Sequence, residues 1–386
     1  MRLPGTIEKL SALISRNSIS SVLPEYDQSN EAVIHLLANW CRDLGFEVVI
    51  MPVEGNPGKF NLLATLGTGS GGLVLSGHTD TVPCNPERWQ SDPFTLTERD
   101  GRFYGLGTCD MKGFFALVLD AVEECLQHEF HQPLIILATA DEESSMCGAR
   151  ALTRDTGPHG RYAIVGEPTS LKPIRMHKGI MMESIRLTGK AGHSSNPALG
   201  ISAMDALHDV MGELKNLRLD LAQRYENAHF AVTTPTLNLG CVHGGDNPNR
   251  ICATCELAFD LRALPGMNND DLRNEIRRRL TPIAEQNRVE LTYESLFPGI
   301  DPFEEARTSE LVQMAEKLTG HTSDAVNYAT EAPFLQKLGM ETIILGPGNI
   351  DQAHQLDEYL ALDQITPCVD LIRDMIRHFC QTPAQS

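Results

Sequence analysis

Leu73-Val74-Leu75-Ser76-Gly77-His78-Thr79-Asp80 is a short apolar run that ends on an imidazole and a carboxylate. A run this short, bounded by glycine, reads as a strand buried on both faces. The pattern recurs at Phe46 to Val53, Leu62 to Leu66, Leu134 to Ala140 and Ala163 to Gly166. Between these runs, Asn30 to Leu44 and Phe114 to Gln127 carry apolar residues at helical spacing. The alternation predicts an α/β fold built on a mixed, mainly parallel, helix-covered sheet.

From about Met176 the pattern changes to an insert. A strand at Met181 to Thr188 leads into a helix from about Gly200 to Leu217, and another strand follows at Pro235 to Leu239. Strict alternation through Ile251 to Arg262 sets Ile251, Ala253, Cys255, Leu257, Phe259 and Leu261 on one face. Cys252, Thr254, Glu256, Asp260 and Arg262 then share the other, wet face. A charged helix, Asp270 to Glu285, and a strand, Arg288 to Tyr293, close the insert. Signals resume with Ser309 to Leu318, Glu341 to Leu345 and Asp363 to Phe379, which are expected to rejoin the first sheet. This predicts one domain over 1–175 and 296–386 with a second, 176–295, inserted in it. Gly67 to Gly72 and Thr382 to Ser386 read as loose linkers.

Composition narrows the partners. The chain has 386 residues with 32 basic against 51 acidic, a net charge of −19, and no dense Lys/Arg run. Nucleic acid and anionic membrane are poor partners for such a surface. Met1 to Leu10 has no apolar core of signal-peptide length, and no stretch reaches the roughly 18 apolar residues of a membrane span. A cytoplasmic location is expected, with the ten scattered cysteines reduced. A thiol centre at Cys252-Ala-Thr-Cys255 is disfavoured because alternation sends the two sulfurs to opposite faces, and a zinc site would need a second Cys or His pair.

In open α/β sheets chemistry collects at the carboxyl ends of strands. Here each such end leads to a metal-type ligand: His78-Thr79-Asp80, Asp141-Glu142-Glu143, Glu167, and, through Gly346-Pro347-Gly348, His354. Singly each has a plain explanation, and Asp110 could merely cap the following helix. Together, acidic and imidazole groups converging on one sheet edge would repel and be costly to desolvate unless cations neutralise them. Two histidines with several carboxylates suit zinc. A ligating imidazole needs its other ring nitrogen held, which makes Asp80 the expected orienter of His78. Adjacent residues at a strand end point differently, so Glu143 is expected to bind metal while Glu142 serves as general base.

The sequence resembles the dinuclear-zinc aminoacylase and carboxypeptidase family over nearly its whole length. The resemblance is carried by Ser76-Gly-His-Thr-Asp-Thr-Val-Pro83, Tyr104-Gly-Leu-Gly-Thr-Cys-Asp-Met-Lys-Gly-Phe114, Ala138-Thr-Ala-Asp-Glu-Glu143 and Val165-Gly-Glu-Pro-Thr-Ser170. Gly192-His-Ser-Ser195, Asn249-Arg250, Asn327-Tyr-Ala-Thr-Glu-Ala-Pro-Phe334 and Gly346-Pro-Gly348 with His354 extend it. It implies a zinc aminopeptidase-like catalytic domain with an inserted α+β, ferredoxin-like domain that pairs subunits. It implies two zinc ions bridged by Asp110, one completed by His78 and Glu167 and the other by Glu143 and His354. Cobalt is an expected substitute. Glutathione is associated with the family as an activator, and the sequence offers no dedicated site for it. The resemblance further implies a homodimer in which His193 crosses to the partner's active site, and a cis peptide from Asp110 to Met111. Without it, His193 reads as a turn residue and Arg250 as one half of a surface ion pair.

The implied reaction is metal-assisted hydrolysis of a linear amide, with N2-acetyl-L-ornithine the expected substrate. Arg250 would hold its α-carboxylate, Glu331 would receive its side-chain ammonium, and Asn249, Asn327 and Gly346 are the other expected substrate contacts. Glu142 would take a proton from water and return it to the leaving amine, and His193 would help hold the oxyanion. Alternatives are hydrolysis of succinyl-diaminopimelate, a broad N-acyl amino acid hydrolase, and a catalytically silent metal- or amino-acid-binding protein.

Overall fold

Val74, Leu75, Ile136 and Ile164 sit in strands whose every residue is buried, which is why these runs lack the alternation of a half-exposed sheet. The computed structural model describes residues 3–69 and 71–383. The linker readings at Gly67 to Gly72 and Thr382 to Ser386 therefore lie partly outside the described residues. The chain divides into two compact units, one of Met1–Arg175, Glu305–Asp324 and Thr330–Ser386, the other of Met176–Glu304 and Ala325–Ala329. The second unit runs past residue 295, the boundary suggested by the sequence, because the strand Glu290–Ser295 is followed by Ile300, whose backbone pairs with Ile180.

The sheet of the first unit runs in the order Glu47–Pro52, Phe60–Leu66, Leu134–Thr139, Leu73–His78, Tyr162–Val165, Glu341–Ile344, Ile174–His177. Among these strands the four from Leu134–Thr139 to Glu341–Ile344 pair parallel, and those flanking them pair antiparallel. The sheet is thus mixed, with its parallel part where the sequence placed the ligands. Helices Thr6–Ile14, Glu31–Asp43, Lys112–Cys125 and Ile365–Ile376 bury Leu13, Leu37, Leu117 and Ile372 in the same core. At about 25 cal/mol per Å² of apolar surface, this burial is the main term holding the unit together.

The second unit is a four-stranded antiparallel sheet in the order Thr236–Gly244, Thr254–Arg262, Met181–Thr188, Glu290–Ser295. With helices Ala203–Arg224 and Asn269–Asn287 its chain order is β-α-β-β-α-β, the ferredoxin-like arrangement. Cys255, Leu257, Phe259 and Leu261 are buried, as the alternation predicts. The alternation fails at Cys252, which precedes the strand start at Thr254. Its sulfur lies 3.3 Å from that of Cys255, not on the opposite face. All ten cysteines are unpaired. Among the described residues no helix is long and apolar enough to cross a membrane.

Candidate metal centre

The register of the parallel strands assembles the site. His78 pairs across with Thr139, and Ser76 with Val165. Two residues beyond Ser76 and Val165, His78 and Glu167 therefore emerge at the same level. The chain that leaves Thr139 carries Glu142 and Glu143 over the same edge. Asp110 arrives on the loop before the Lys112–Cys125 helix, and its peptide bond to Met111 is cis, as the resemblance implies.

Asp110 is buried and faces two histidines: Oδ1 lies 3.0 Å from His78 Nε2, and Oδ2 lies 3.6 Å from His354 Nε2. His354 Nε2 is also 2.9 Å from Glu143 Oε2. Glu167 Oε1 is 3.9 Å from His78 Nε2. The five residues expected from the sequence to be ligands thus converge, with Asp110 between the two imidazoles.

Burial pushes the carboxyls of Glu142 and Glu167 well above the usual range, reinforced for Glu142 by the charge of Glu167 and for Glu167 by that of Asp110. Burial and the Asp110 charge also raise Glu143. Burial alone would lower the His78 imidazole, yet the Asp110 hydrogen bond and the charges of Glu167 and Asp110 hold it well above normal. The hydrogen bond with Glu143 lifts His354 to about 9.

This is a site short of positive charge. Donor atoms of His78, Asp110 and Glu143 all lie within 4.8 Å of one another, and so do those of His78, Glu142 and Glu167. Imidazole nitrogen and carboxylate oxygen at that spacing, with more carboxylates than histidines, fit divalent cations of the zinc type.

Asp80 differs in detail from its expected role. The Nδ1 of His78 is 3.0 Å from the Asp80 backbone carbonyl, while the carboxylate Oδ1 is 3.8 Å away and has no partner although buried. The other oxygen, Oδ2, accepts the backbone N–H of Glu143 at 3.0 Å. Asp80 therefore orients His78 through its main chain and ties down Glu143 through its side chain.

Three supports escaped the sequence reading. Glu358 is buried, and its Oε1 accepts the backbone N–H groups of Gly107, Cys109 and Asp110 at 3.0, 2.8 and 3.0 Å. Asp141, in the left-handed region at φ 61°, is held by Ser20 Oγ at 2.6 Å, by Lys59 Nζ at 3.0 Å and by Ser145 Oγ. It fixes the start of the segment bearing Glu142 and Glu143. Lys112, buried, donates from Nζ to the Arg16 carbonyl at 2.9 Å, and burial brings its ammonium down to about 8. Asp141 and Lys112 lie inside motifs quoted from the sequence but had no supporting role assigned to them, and Glu358 is a single acidic residue four positions after His354.

The expected substrate contacts are divided. Glu331 is buried, with its two oxygens accepting from Ser76 Oγ and, at 2.7 Å, from Thr139 Oγ1, which ties it to the strands that carry them. At Gly346 a Cβ would lie 2.2 Å from the Gly166 carbonyl oxygen and 2.6 Å from that of Glu167, so the close approach of these chains requires glycine there. Asn327, His193, Asn249 and Arg250 belong to the second unit and are exposed. His193 and Arg250 form a β-bridge, Asn249 accepts the N–H of Ser194 at 3.0 Å, and His193 Nδ1 is 2.7 Å from Ser195 Oγ. Arg250 is paired with Asp246 at 2.5 Å.

Residues 74–378 match the model of Peptidase family M20/M25/M40. The chain is 52% identical over 380 residues to the protein named Acetylornithine deacetylase of Edwardsiella ictaluri (strain 93-146), covering 98% of this chain and 99% of that one. The crystal structure of aminopeptidase PepT from Bacillus cereus ATCC 10987 has the same fold, with TM-score 0.75 and 18% identity over 97% of this chain and 98% of that one. So does the YXEP protein of Bacillus subtilis, described as a dinuclear metal binding peptidase from the M20 family, with TM-score 0.68 and 13% identity over 96% of each chain.

Proposed function

The chain belongs to Peptidase family M20/M25/M40, and from that membership we propose that it hydrolyses N2-acetyl-L-ornithine to L-ornithine and acetate, a step of arginine biosynthesis. The observation that carries this reading is the 52% identity, along 98% of the chain, to a protein named for that activity. The fit of the buried donor set to divalent cations supports the metal-dependent half of it.

His78 and Glu167 would hold one zinc ion and Glu143 and His354 the other, with Asp110 shared between them; cobalt is proposed as a substitute. When bound, such ions supply Lewis acidity and lower the pKa of water towards about 7. Glu142 sits among these residues, where burial and the charge of Glu167 raise its carboxyl, and it would take a proton from water and return it to the leaving amine nitrogen. Asp80 and Glu358 keep His78, Glu143 and Asp110 in place. Arg250, once released from Asp246, would hold the substrate α-carboxylate by paired N–H donors, with Asn249, Asn327 and Gly346 as further contacts.

A homodimer is part of the proposal, with the inserted domain pairing the copies and His193 of one copy serving the site of the other. Its ground is the family resemblance carried at His193 by Gly192-His-Ser-Ser195. Activity restored by mixing His193→Ala with Glu142→Ala protein would follow from such sharing, and two inactive variants that stay inactive on mixing would count against it. A cytoplasmic location is supported by the ten free cysteines.

Initial rates on N2-acetyl-L-ornithine and on N-succinyl-diaminopimelate test the reading, before and after treatment with a chelator. Acetylornithine should be the better substrate, with turnover lost to the chelator and restored by zinc or cobalt. A preference for the succinyl compound would move the function to desuccinylation, and no hydrolysis of either by metal-loaded protein would refute it.

A further inference from the structure

The sulfurs of Cys252 and Cys255 are 3.3 Å apart. The chain is irregular at Ile251–Ala253, where the Cys252 carbonyl accepts the N–H of Ala203 at 2.8 Å and the Ala253 carbonyl that of Gly189 at 2.7 Å. These bonds hold the segment off strand geometry and bring Cys252 round to the side of Cys255. The two sulfurs differ in access. Cys255 is 1% exposed and part of the second unit's core. Cys252 is half-buried and lines two surface grooves of about 760 and 400 Å³. A reachable thiol thus rests against an unreachable one, the arrangement that makes a C-x-x-C pair reactive as a couple.

We propose that Cys252 and Cys255 form a site of reversible thiol–disulfide exchange with small-molecule disulfides. Cys252, as its thiolate, attacks one sulfur of the small disulfide; that S–S bond breaks, one small thiolate leaves and takes up a proton, and Cys252 carries a mixed disulfide. Cys255 then gives its proton to solvent and attacks Cys252 Sγ, forming the internal S–S bond and expelling the second small thiol. Two protein thiols are oxidised, and one small disulfide is reduced to two thiols. An excess of small thiol drives the same steps backwards.

The order of attack follows from access, since only Cys252 can meet a reagent in solution. Burial and the neighbouring Cys252 push the Cys255 thiol up to about 12, so it keeps its proton until the mixed disulfide stands beside it. The contact distance then favours closure over attack by a second external thiol. Neither step involves the metal-ligand residues.

The test uses the full-length metal-loaded protein, hydroxyethyl disulfide as the oxidant, an acid quench, alkylation of remaining thiols and trypsin digestion. Ile251–Arg262 is released as one peptide holding both cysteines and no third. The expected peptide is lighter than the fully reduced one by two hydrogen atoms, takes no alkylating agent, and recovers two sites for it after reduction. Cys255→Ser should stop at the mixed disulfide on Cys252, and Cys252→Ser should leave Cys255 unmodified, with circular dichroism confirming that both variants are folded. A wild-type peptide that stays doubly alkylated, or one that accumulates the mixed disulfide without closing, would overturn the proposal.

Discussion

Glu358 Oε1 accepts the backbone N–H of Asp110 at 3.0 Å, from a point 248 residues further along the chain. The same oxygen takes the N–H groups of Gly107 and Cys109, so one buried carboxylate holds the loop that presents the carboxylate between the two histidines. Glu358→Ala leaves those donors without a partner. A loss on the order of 3 kcal/mol is expected, read as a lower denaturation midpoint, together with reduced metal content after gel filtration. Full metal content at unchanged stability would show that the loop holds itself.

Two glycine-to-alanine changes should move stability in opposite directions. At Gly346 the new methyl would meet the carbonyl oxygens of Gly166 and Glu167, main-chain atoms that cannot yield without moving a ligand. Gly346→Ala is expected to cost about 2 kcal/mol or more and to cut turnover sharply. Gly212 is exposed within the Ala203–Arg224 helix, with nothing within 4 Å of the point where an added methyl would stand. Gly212→Ala should stabilise by about 0.5–1 kcal/mol. Thermal unfolding of the two variants checks both signs.

His177 introduces a pH dependence outside the metal centre. Burial lowers its imidazole from 6.5 to about 4. The unfolded chain therefore binds a proton that the folded chain refuses between those values, and stability falls as pH drops from about 6.5 towards 4. Over that window the effect is on the order of 3 kcal/mol. Denaturation of the wild type and of His177→Gln across pH 4 to 7 should show a shallower slope in the variant; parallel slopes would contradict the assignment.

Because Glu331 is buried and bonded to Ser76 and Thr139, it is expected to act on the strands that it joins and not on the substrate side chain. Glu331→Gln should leave the ratio of kcat/KM for acetylornithine over acetylnorvaline unchanged. A collapse of that ratio would restore the ammonium-binding role read from the sequence.

The legible part of the site was the part written in consecutive residues. His78, Glu143 and Glu167 each follow an apolar run, and parallel register then brings strand ends together wherever they lie in the sequence. Glu358, Lys59 and Ser20 could not be read that way, because each acts on a residue tens to hundreds of positions away and sits in no pattern of its own. The helix predicted to end near Leu217 runs to Arg224, since Leu221 continues its buried stripe. Cys252 was misplaced because period-two alternation was carried two residues beyond the strand that obeys it.

The central claim is that Glu142 moves the proton while its neighbour Glu143 holds metal. The most direct measurement is turnover of N2-acetyl-L-ornithine alongside metal content for Glu142→Ala and Glu143→Ala. Glu142→Ala should keep its full complement of metal and lose roughly 10²–10⁴-fold in kcat, while Glu143→Ala should lose metal together with activity. A Glu142→Ala protein that turns over at close to the wild-type rate, or that loses its metal as Glu143→Ala does, would contradict the account.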